Sequence, residues 1–164
     1  MDENLRARLR VEVADLQACL RIDVDCVADL VRRALGFGGC RDAAISLTLV
    51  DDRRIREIND RYLGHDHETD VITFPLSGPG EIPLEAELIV SAEMAARTAS
   101  AHGVDPMDEL SLYIVHGLLH LLGEDDRDEA SAGSMRIREG EFLRALGRPN
   151  TYAAVGRGGG PWGA

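Results

Sequence analysis

Two histidines four residues apart, followed by a glycine and an aspartate, constrain this chain more than any other feature. From His116 to Asp126 the sequence reads HGLLHLLGEDD. On a helix, side chains four residues apart lie on the same face one turn apart, so both imidazoles can reach the same ion. Gly123 can adopt the positive φ that ends a helix and turns the chain back. We expect this return to bring Asp126 toward the two histidines as a third ligand.

Three protein ligands and an open fourth position are the arrangement of a catalytic zinc site. We therefore predict one Zn²⁺ per chain, held by His116, His120 and Asp126. A lone histidine in an apolar helix is usually a core residue with one hydrogen bond. Two histidines followed by a helix-ending glycine and a carboxylate favour a metal, because burying them together without one is costly. Asp125 and Asp128 are predicted to be solvated loop residues instead.

The pattern is close to the H-E-x-x-H-x-x-G-x-x-H of metzincin peptidases, but Gly117 stands where those enzymes carry glutamate. That glutamate is the general base of the peptidase reaction, so its absence argues against peptidase chemistry by the usual route. Two explanations of Gly117 stay open. The small residue leaves room for a bulky substrate near the ion, or it allows close packing of the helix.

Composition bounds the kind of protein. The 164 residues fit one domain with an ordinary core, and the net charge is −11 with arginine as the only strongly basic residue type. No basic run offers the footprint of a non-specific nucleic-acid binder. We expect a cytoplasmic protein without a membrane span, because neither a long apolar stretch nor a signal-peptide pattern is present.

Hydrophobic periodicity predicts an α+β fold, with a small, mostly four-stranded sheet packed against about five helices. The domain is expected over residues 1–150, followed by a Gly-rich disordered tail over 151–164. The helix that begins near Asp23 or Asp25 is predicted to end before Gly36. Strands are predicted at 9–16, 43–50, 71–76 and 84–90, and the other helices after Asp51 and over 91–101, 106–122 and 128–146.

Two segments together resemble the bacterial YbeY family, whose signatures are H-G-x-L-H-L-x-G-Y-D-H and T-D-V-L-S-F. They are His116 to Asp126 and Thr69 to Pro75, the latter reading TDVITFP. The resemblance covers roughly residues 45 to 142. Asn59, Tyr62 and Gly64 also fit the family's N-x-x-Y-R-G segment, and Glu87 to Ser91 fit its G-D-I-x-I-S strand. Met135 and Glu139 stand where the family has a Met and a Glu.

The resemblance implies a small α+β domain with one zinc ion and a metzincin-like zinc helix. It also implies a single-strand-specific endoribonuclease that matures ribosomal RNA, notably the 3′ end of the small-subunit RNA, and serves ribosome quality control. The implied partners are ribosomal RNA and the small ribosomal subunit or its assembly factors. On this hypothesis His116, His120 and Asp70 are the catalytic candidates. Asp70, just before a strand, is either a cleft residue or a turn and capping residue.

The chain departs from the family pattern at two positions. Asp126 replaces the third zinc-ligand histidine, which adds a negative charge and should weaken polarisation of water or phosphate. Leu63 replaces an arginine that is expected to contact RNA phosphate. Arg61 is a candidate to take over that contact if the segment shifts, although on a helix it would point elsewhere. His65 and His67 could also reach the cleft, and exposed loop positions are the alternative for these histidines. The departures suggest a second hypothesis, a catalytically weakened ribosome-assembly or binding factor, and a third is a metallopeptidase-like hydrolase with another substrate.

Overall fold

A four-stranded mixed sheet lies at the centre of the computed structural model, which describes residues 1–152. Its strands are β1 (Leu9–Asp15), β2 (Ala43–Val50), β3 (Val71–Pro75) and β4 (Leu84–Ser91), in the order β1-β2-β4-β3. β1, β2 and β4 are parallel, and β3 runs antiparallel to β4. β3 is therefore an edge strand, as its terminal proline predicts, because proline has no N–H for a further ladder bond.

Six helices flank the sheet within the described part of the chain. They are α1 (Glu3–Arg8), α2 (Val24–Phe37), α3 (Asp52–Leu63), α4 (Ala92–His102), α5 (Pro106–Leu121) and α6 (Glu129–Ala145). The α+β class and the four strands are confirmed. The expected number of about five helices missed α1, because its six residues bury no side chain and show no apolar periodicity.

The end of α2 was predicted wrongly, whereas the other bounds given from the sequence lie within one residue of those observed. α2 does not end before Gly36 but continues to Phe37, and Gly38 caps it. Of the predicted tail over 151–164, Thr151 is buried and its hydroxyl donates to Glu109. Residues 153–164 lie outside the described residues, and the predicted disorder of the tail stays a prediction.

Successive strand residues face opposite sides of the sheet, and each side has its own apolar cluster. The main core lies between the sheet and helices α2, α5 and α6, and its strand residues include Leu9, Ile45, Leu47, Leu88 and Val90. On the other side a smaller cluster packs α3 against the sheet through Val50, Ile55, Ile72 and Ile89. The sheet thus separates α5 from α3, and the two helices approach opposite sides of the β3 edge.

α5 is the central helix that the sequence predicts. The Asp105 side chain accepts the Met107 N–H and Pro106 takes the first position, a normal start for a helix. Residues 109–119 are all buried, as expected for a helix that is apolar on nearly every side. Among the described residues no helix combines the length and apolar character that crossing a bilayer requires.

Candidate metal centre

The last turns of α5 bring His116 and His120 together. Their rings are nearly perpendicular, with centroids 4.6 Å apart, and their Nε2 atoms are 3.0 Å apart. His116 is buried, whereas 31% of the His120 side chain is exposed. Both nitrogens therefore converge on one point, with His120 on the solvent side.

The turn after α5 brings a carboxylate to the same point. Gly123 has a φ of +99°, and its N–H and the next N–H donate back to the carbonyls of His120 and Leu119. These two bonds form a Schellman motif, which confirms the predicted helix end at this glycine. Three residues later, the Asp126 Oδ2 atom lies 3.4 Å from His116 Nε2 and 3.6 Å from His120 Nε2.

The spacing of these three atoms fits a tetrahedral ion. Zinc lies about 2.0–2.1 Å from its nitrogen and oxygen ligands, so ligand atoms at tetrahedral angles are about 3.3–3.4 Å apart. The observed separations of 3.0, 3.4 and 3.6 Å bracket that value. His116, His120 and Asp126 form a cluster in which the ligand atoms lie within 4.8 Å of one another. The three side chains can therefore hold a metal ion, and all three line one cleft.

A buried carboxylate on α6 orients His116. The Glu139 Oε1 atom lies 2.6 Å from His116 Nδ1, and both side chains are at most 3% exposed. Burial, reinforced by the neighbouring His120, lowers the pKa of His116 to about 3, although Asp126 opposes the shift. His116 is therefore neutral at ordinary pH, and its contact with Glu139 is a hydrogen bond donated by Nδ1–H. The lone pair of Nε2 is left for an ion.

Gly117 lies where α5 packs closely on the sheet. A Cβ atom there would lie 3.0 Å from a Val71 methyl carbon, 3.2 Å from one of Leu88 and 3.3 Å from one of Thr73. Close helix packing is therefore the explanation that the structure favours for this glycine. A glutamate, as in the H-E-x-x-H sites, has no room at this position.

A cleft of about 640 Å³ is lined by the three candidate ligands and by a facing wall. The facing wall consists of the end of α3, the segment between α3 and β3, and β3 itself. Asp70 belongs to this wall and is 7% exposed. Its Oδ1 atom accepts the Val71 N–H at 2.8 Å and the Thr69 hydroxyl at 3.2 Å. Asp70 therefore combines the two roles considered from the sequence. It lines the cleft, and its carboxylate caps the start of β3.

Leu63, His65 and His67 line the same cleft. The two imidazole rings are parallel to within 8°, and their centroids are 5.7 Å apart. Arg61 is not among the cleft-lining residues, and its guanidinium lies 5.5 Å from the centroid of the Tyr62 ring. The structure thus brings the two histidines to the cleft as exposed loop residues, and it leaves Arg61, the candidate for the phosphate contact, outside.

The other acidic residues after Gly123 have structural partners. Asp125 accepts the Arg127 Nε–H at 2.9 Å. Asp128 accepts the Ser131 N–H and forms a reciprocal capping box at the start of α6. Neither residue belongs to the metal cluster.

Sequence reasoning missed the contact between Glu139 and His116, although the position of Glu139 matched the family pattern. A signal was present, because Met135, Glu139 and Phe142 lie on the buried side of α6 at helical spacing. A carboxylate on a buried helix face needs a polar partner, and the histidines of α5 are the natural candidates. Which histidine pairs with it depends on how α5 and α6 pack.

Comparisons with known proteins point to one family. The family model described as Endoribonuclease YbeY matches residues 12–147. A protein named Endoribonuclease YbeY from Syntrophus aciditrophicus is 34% identical over 152 residues, which are 88% of this chain and 94% of that protein. Another of that name, from Anaeromyxobacter sp. (strain Fw109-5), is 45% identical over 124 residues, 75% of this chain and 63% of the relative. The chain thus covers less than two thirds of the Anaeromyxobacter protein but nearly all of the Syntrophus protein.

A solved structure shares the fold. The solution structure of TM1509 from Thermotoga maritima matches 84% of this chain and 90% of its own, with a TM-score of 0.56. The sequence identity in that match is 22%, so the likeness concerns the fold alone.

Proposed function

The chain belongs to the YbeY family, and from that membership we propose that it is a zinc-dependent endoribonuclease that cuts single-stranded RNA. The observation that most supports this activity is the triangle of His116, His120 and Asp126 within a cleft. We further propose that the enzyme works in the cytoplasm on ribosomal RNA, notably at the 3′ end of the small-subunit RNA, and in ribosome quality control. Its expected partners are the small ribosomal subunit or its assembly factors.

The candidate ligand residues would contribute differently to the metal site. A bound zinc ion supplies a Lewis acid that polarises a phosphodiester and lowers the pKa of a bound water. His116 presents a neutral Nε2 because Glu139 accepts its other ring proton. Asp126 contributes an anionic oxygen, which leaves the site less positive than three histidines would.

Asp70 is our candidate for orienting water or substrate in the cleft. Its carboxylate is nearly buried in the wall that faces the ligands, and the Val71 N–H and the Thr69 hydroxyl fix its position. A carboxylate held in this way can accept a proton or a hydrogen bond from a group bound between the walls.

Cleavage of a single-stranded RNA by the zinc-loaded protein tests the proposed activity. His116→Ala should abolish cleavage while the circular dichroism spectrum is retained, and a chelator should abolish cleavage by the wild type. His102→Ala is the matched control, because His102 is exposed at the end of α4 with its ring against the Thr98 carbonyl. Cleavage by His116→Ala at the wild-type rate would contradict the proposal.

A second candidate function is a ribosome-assembly or binding factor that keeps the fold and the metal but cuts poorly. Two observations favour it, the carboxylate of Asp126 in the ligand set and the apolar Leu63 in the facing wall. The same RNA assay separates the two candidates when it is paired with sedimentation on ribosomal particles. Tight association without metal-dependent cleavage would support the assembly factor. A peptidase is disfavoured, because Gly117 leaves no room for the catalytic glutamate.

A further inference from the structure

We infer that His65 and His67 bind the phosphodiester backbone of the RNA strand that enters the metal cleft. This inference rests on the proposed endoribonuclease function and names the groups on the wall facing the metal ligands that would hold the substrate. Both residues are exposed in the loop, which was the alternative considered from the sequence, and the inference assigns them a ligand.

The two rings have a common orientation on that wall. Both line the cleft, and they lie parallel to within 8° with centroids 5.7 Å apart. The His67 Nδ1 atom is 3.0 Å from the Glu68 carbonyl oxygen, and because a carbonyl oxygen only accepts, the Nδ1–H group donates this hydrogen bond. His67 Nε2 is then the ring nitrogen left for a ligand, and it can donate to a phosphate oxygen when the ring is protonated.

The backbone that carries the rings is held in place although its side chains are exposed. Gly64 ends α3 with a φ of +71°, and the His65 N–H then donates to the Asn59 carbonyl at 3.2 Å. The His67 N–H donates to the His65 carbonyl at 3.0 Å. Asn59 is 2% exposed, and its side-chain amide donates to the His67 carbonyl at 3.0 Å. A buried amide thus fixes the backbone of the turn, which keeps the two side chains beside the cleft before a substrate arrives.

A solvent-exposed ion pair also holds this turn against α3. The Arg56 Nε atom lies 2.8 Å from Asp66 Oδ1, and the guanidinium lowers the pKa of that carboxyl. Asp66 stands between the two histidines in the sequence, so its pairing with α3 turns the carboxylate toward Arg56.

The charge of the cleft makes these rings important for an RNA substrate. Among the described residues that line the cleft there is no arginine, and the sequence contains no lysine. Apart from the metal cluster, His65 and His67 are the cleft-lining side chains that can carry positive charge. The net charge of −11 opposes the approach of a polyanion, so local cationic donors are needed where the strand lies.

The test compares the zinc-loaded wild type with the double variant His65→Gln and His67→Gln, the two single variants, and His102→Gln as control. Initial rates of cleavage of a short single-stranded RNA give KM and kcat at several salt concentrations, all at pH 6. Zinc content is measured for every sample. At pH 6 the double variant should show KM raised about tenfold, the loss expected for charge-assisted hydrogen bonds, with kcat within about twofold of the wild type.

Salt dependence identifies the contact as one to phosphate. Each phosphate contact to a single strand adds about 0.7 to the slope of log affinity against log salt. For the double variant the slope of log kcat/KM at pH 6 should therefore be shallower by about 1.4. Zinc content should be the same in every variant, and the His102→Gln control should match the wild type in KM and in salt slope.

Two results would overturn the inference alone. One is wild-type KM and salt slope in the double variant at pH 6, and the other is a raised KM with an unchanged slope, which indicates base stacking. Both leave the proposed nuclease function intact. If the wild type does not cleave RNA, the proposed function fails, and fluorescence anisotropy with the same RNA then decides the inference. Equal affinities of wild type and double variant in that measurement would overturn it.

Discussion

The two walls of the cleft are built in different ways. On the α5 side, His116 and its partner Glu139 are almost fully buried, and the helix period and a Schellman turn fix the ligand atoms. On the facing side, residues 64–68 are exposed and are held by backbone hydrogen bonds, a buried amide and an exposed ion pair. A change to His116 or Glu139 therefore alters the metal site through a buried contact. The exposed side chains of residues 65–68 can be exchanged at low cost in stability, as in most binding loops, so substrate preference can vary there.

The substitution with the largest expected effect lies on the buried wall. Glu139→Gln removes the carboxylate that holds His116 in the orientation and tautomer needed for an ion. Loss of such a partner typically lowers metal affinity about 10- to 100-fold. Competition for zinc with a chromophoric chelator measures this change.

Glu141→Gln is the matched control for that variant. Glu141 lies on the same helix, is exposed and pairs with Arg138, so its substitution removes the same charge without touching the site. Metal affinity should equal that of the wild type. Equal losses in Glu139→Gln and Glu141→Gln would mean that overall charge, and not the contact with His116, sets the affinity.

Two glycine substitutions should have opposite effects on stability. Gly117→Ala brings a Cβ atom into close contact with three strand side chains, which costs about 1–3 kcal/mol in a packed core. The gain in helix propensity of about 1 kcal/mol offsets part of this, so the free energy of unfolding should fall by about 1 kcal/mol. Gly133→Ala, in α6 with nothing within 4 Å of the added atom, should raise it by about 0.5–1 kcal/mol.

Urea denaturation of both variants decides between packing and substrate space as the reason for Gly117. If Gly117→Ala is as stable as the wild type but cleaves RNA more slowly, the glycine is needed to leave space for the substrate. The close packing on β3 and β4 is then not the reason for a glycine at this position.

The substitution with the smallest expected effect on stability and zinc content lies beside the facing wall. Arg56→Gln removes the exposed ion pair with Asp66, and such pairs contribute little to stability. The urea midpoint and the zinc content should match the wild type, with a rise in KM for RNA smaller than that of the double histidine variant. A loss of zinc in Arg56→Gln would break the comparison, since it would tie the metal site to the exposed loop.

Local sequence patterns predicted the helices and strands whose bounds depend on residues close together in the sequence. The bounds of β2 come directly from alternation over Ala43–Val50, and α5 follows from its Asp105 cap and its apolar run. The approach of Asp126 to the histidines follows from the positive φ of Gly123. The ligand geometry of the candidate site is therefore contained within eleven consecutive residues, His116 to Asp126.

What could not be predicted depends on packing between distant segments. The order β1-β2-β4-β3 has no local signal, yet it places β3 at the edge beside the metal ligands. The contact of Glu139 with His116 spans 23 positions and requires α6 to pack on α5. Likewise, nothing in the pattern around His65 and His67 shows that the turn after α3 faces the cleft. The order of the strands and the packing of the helices supply that information.

Metal content per chain, measured by elemental analysis on wild type, Asp126→Ala and Glu124→Ala purified side by side, tests the central claim most directly. Glu124 is the matched control, because it is a carboxylate of the same loop and its side chain pairs with Arg138. We predict about one zinc ion per chain in the wild type and in Glu124→Ala, and a steep loss in Asp126→Ala, since a three-ligand site loses a ligand. Equal zinc in all three proteins, or none in the wild type after loading with zinc, would contradict the His116, His120 and Asp126 site.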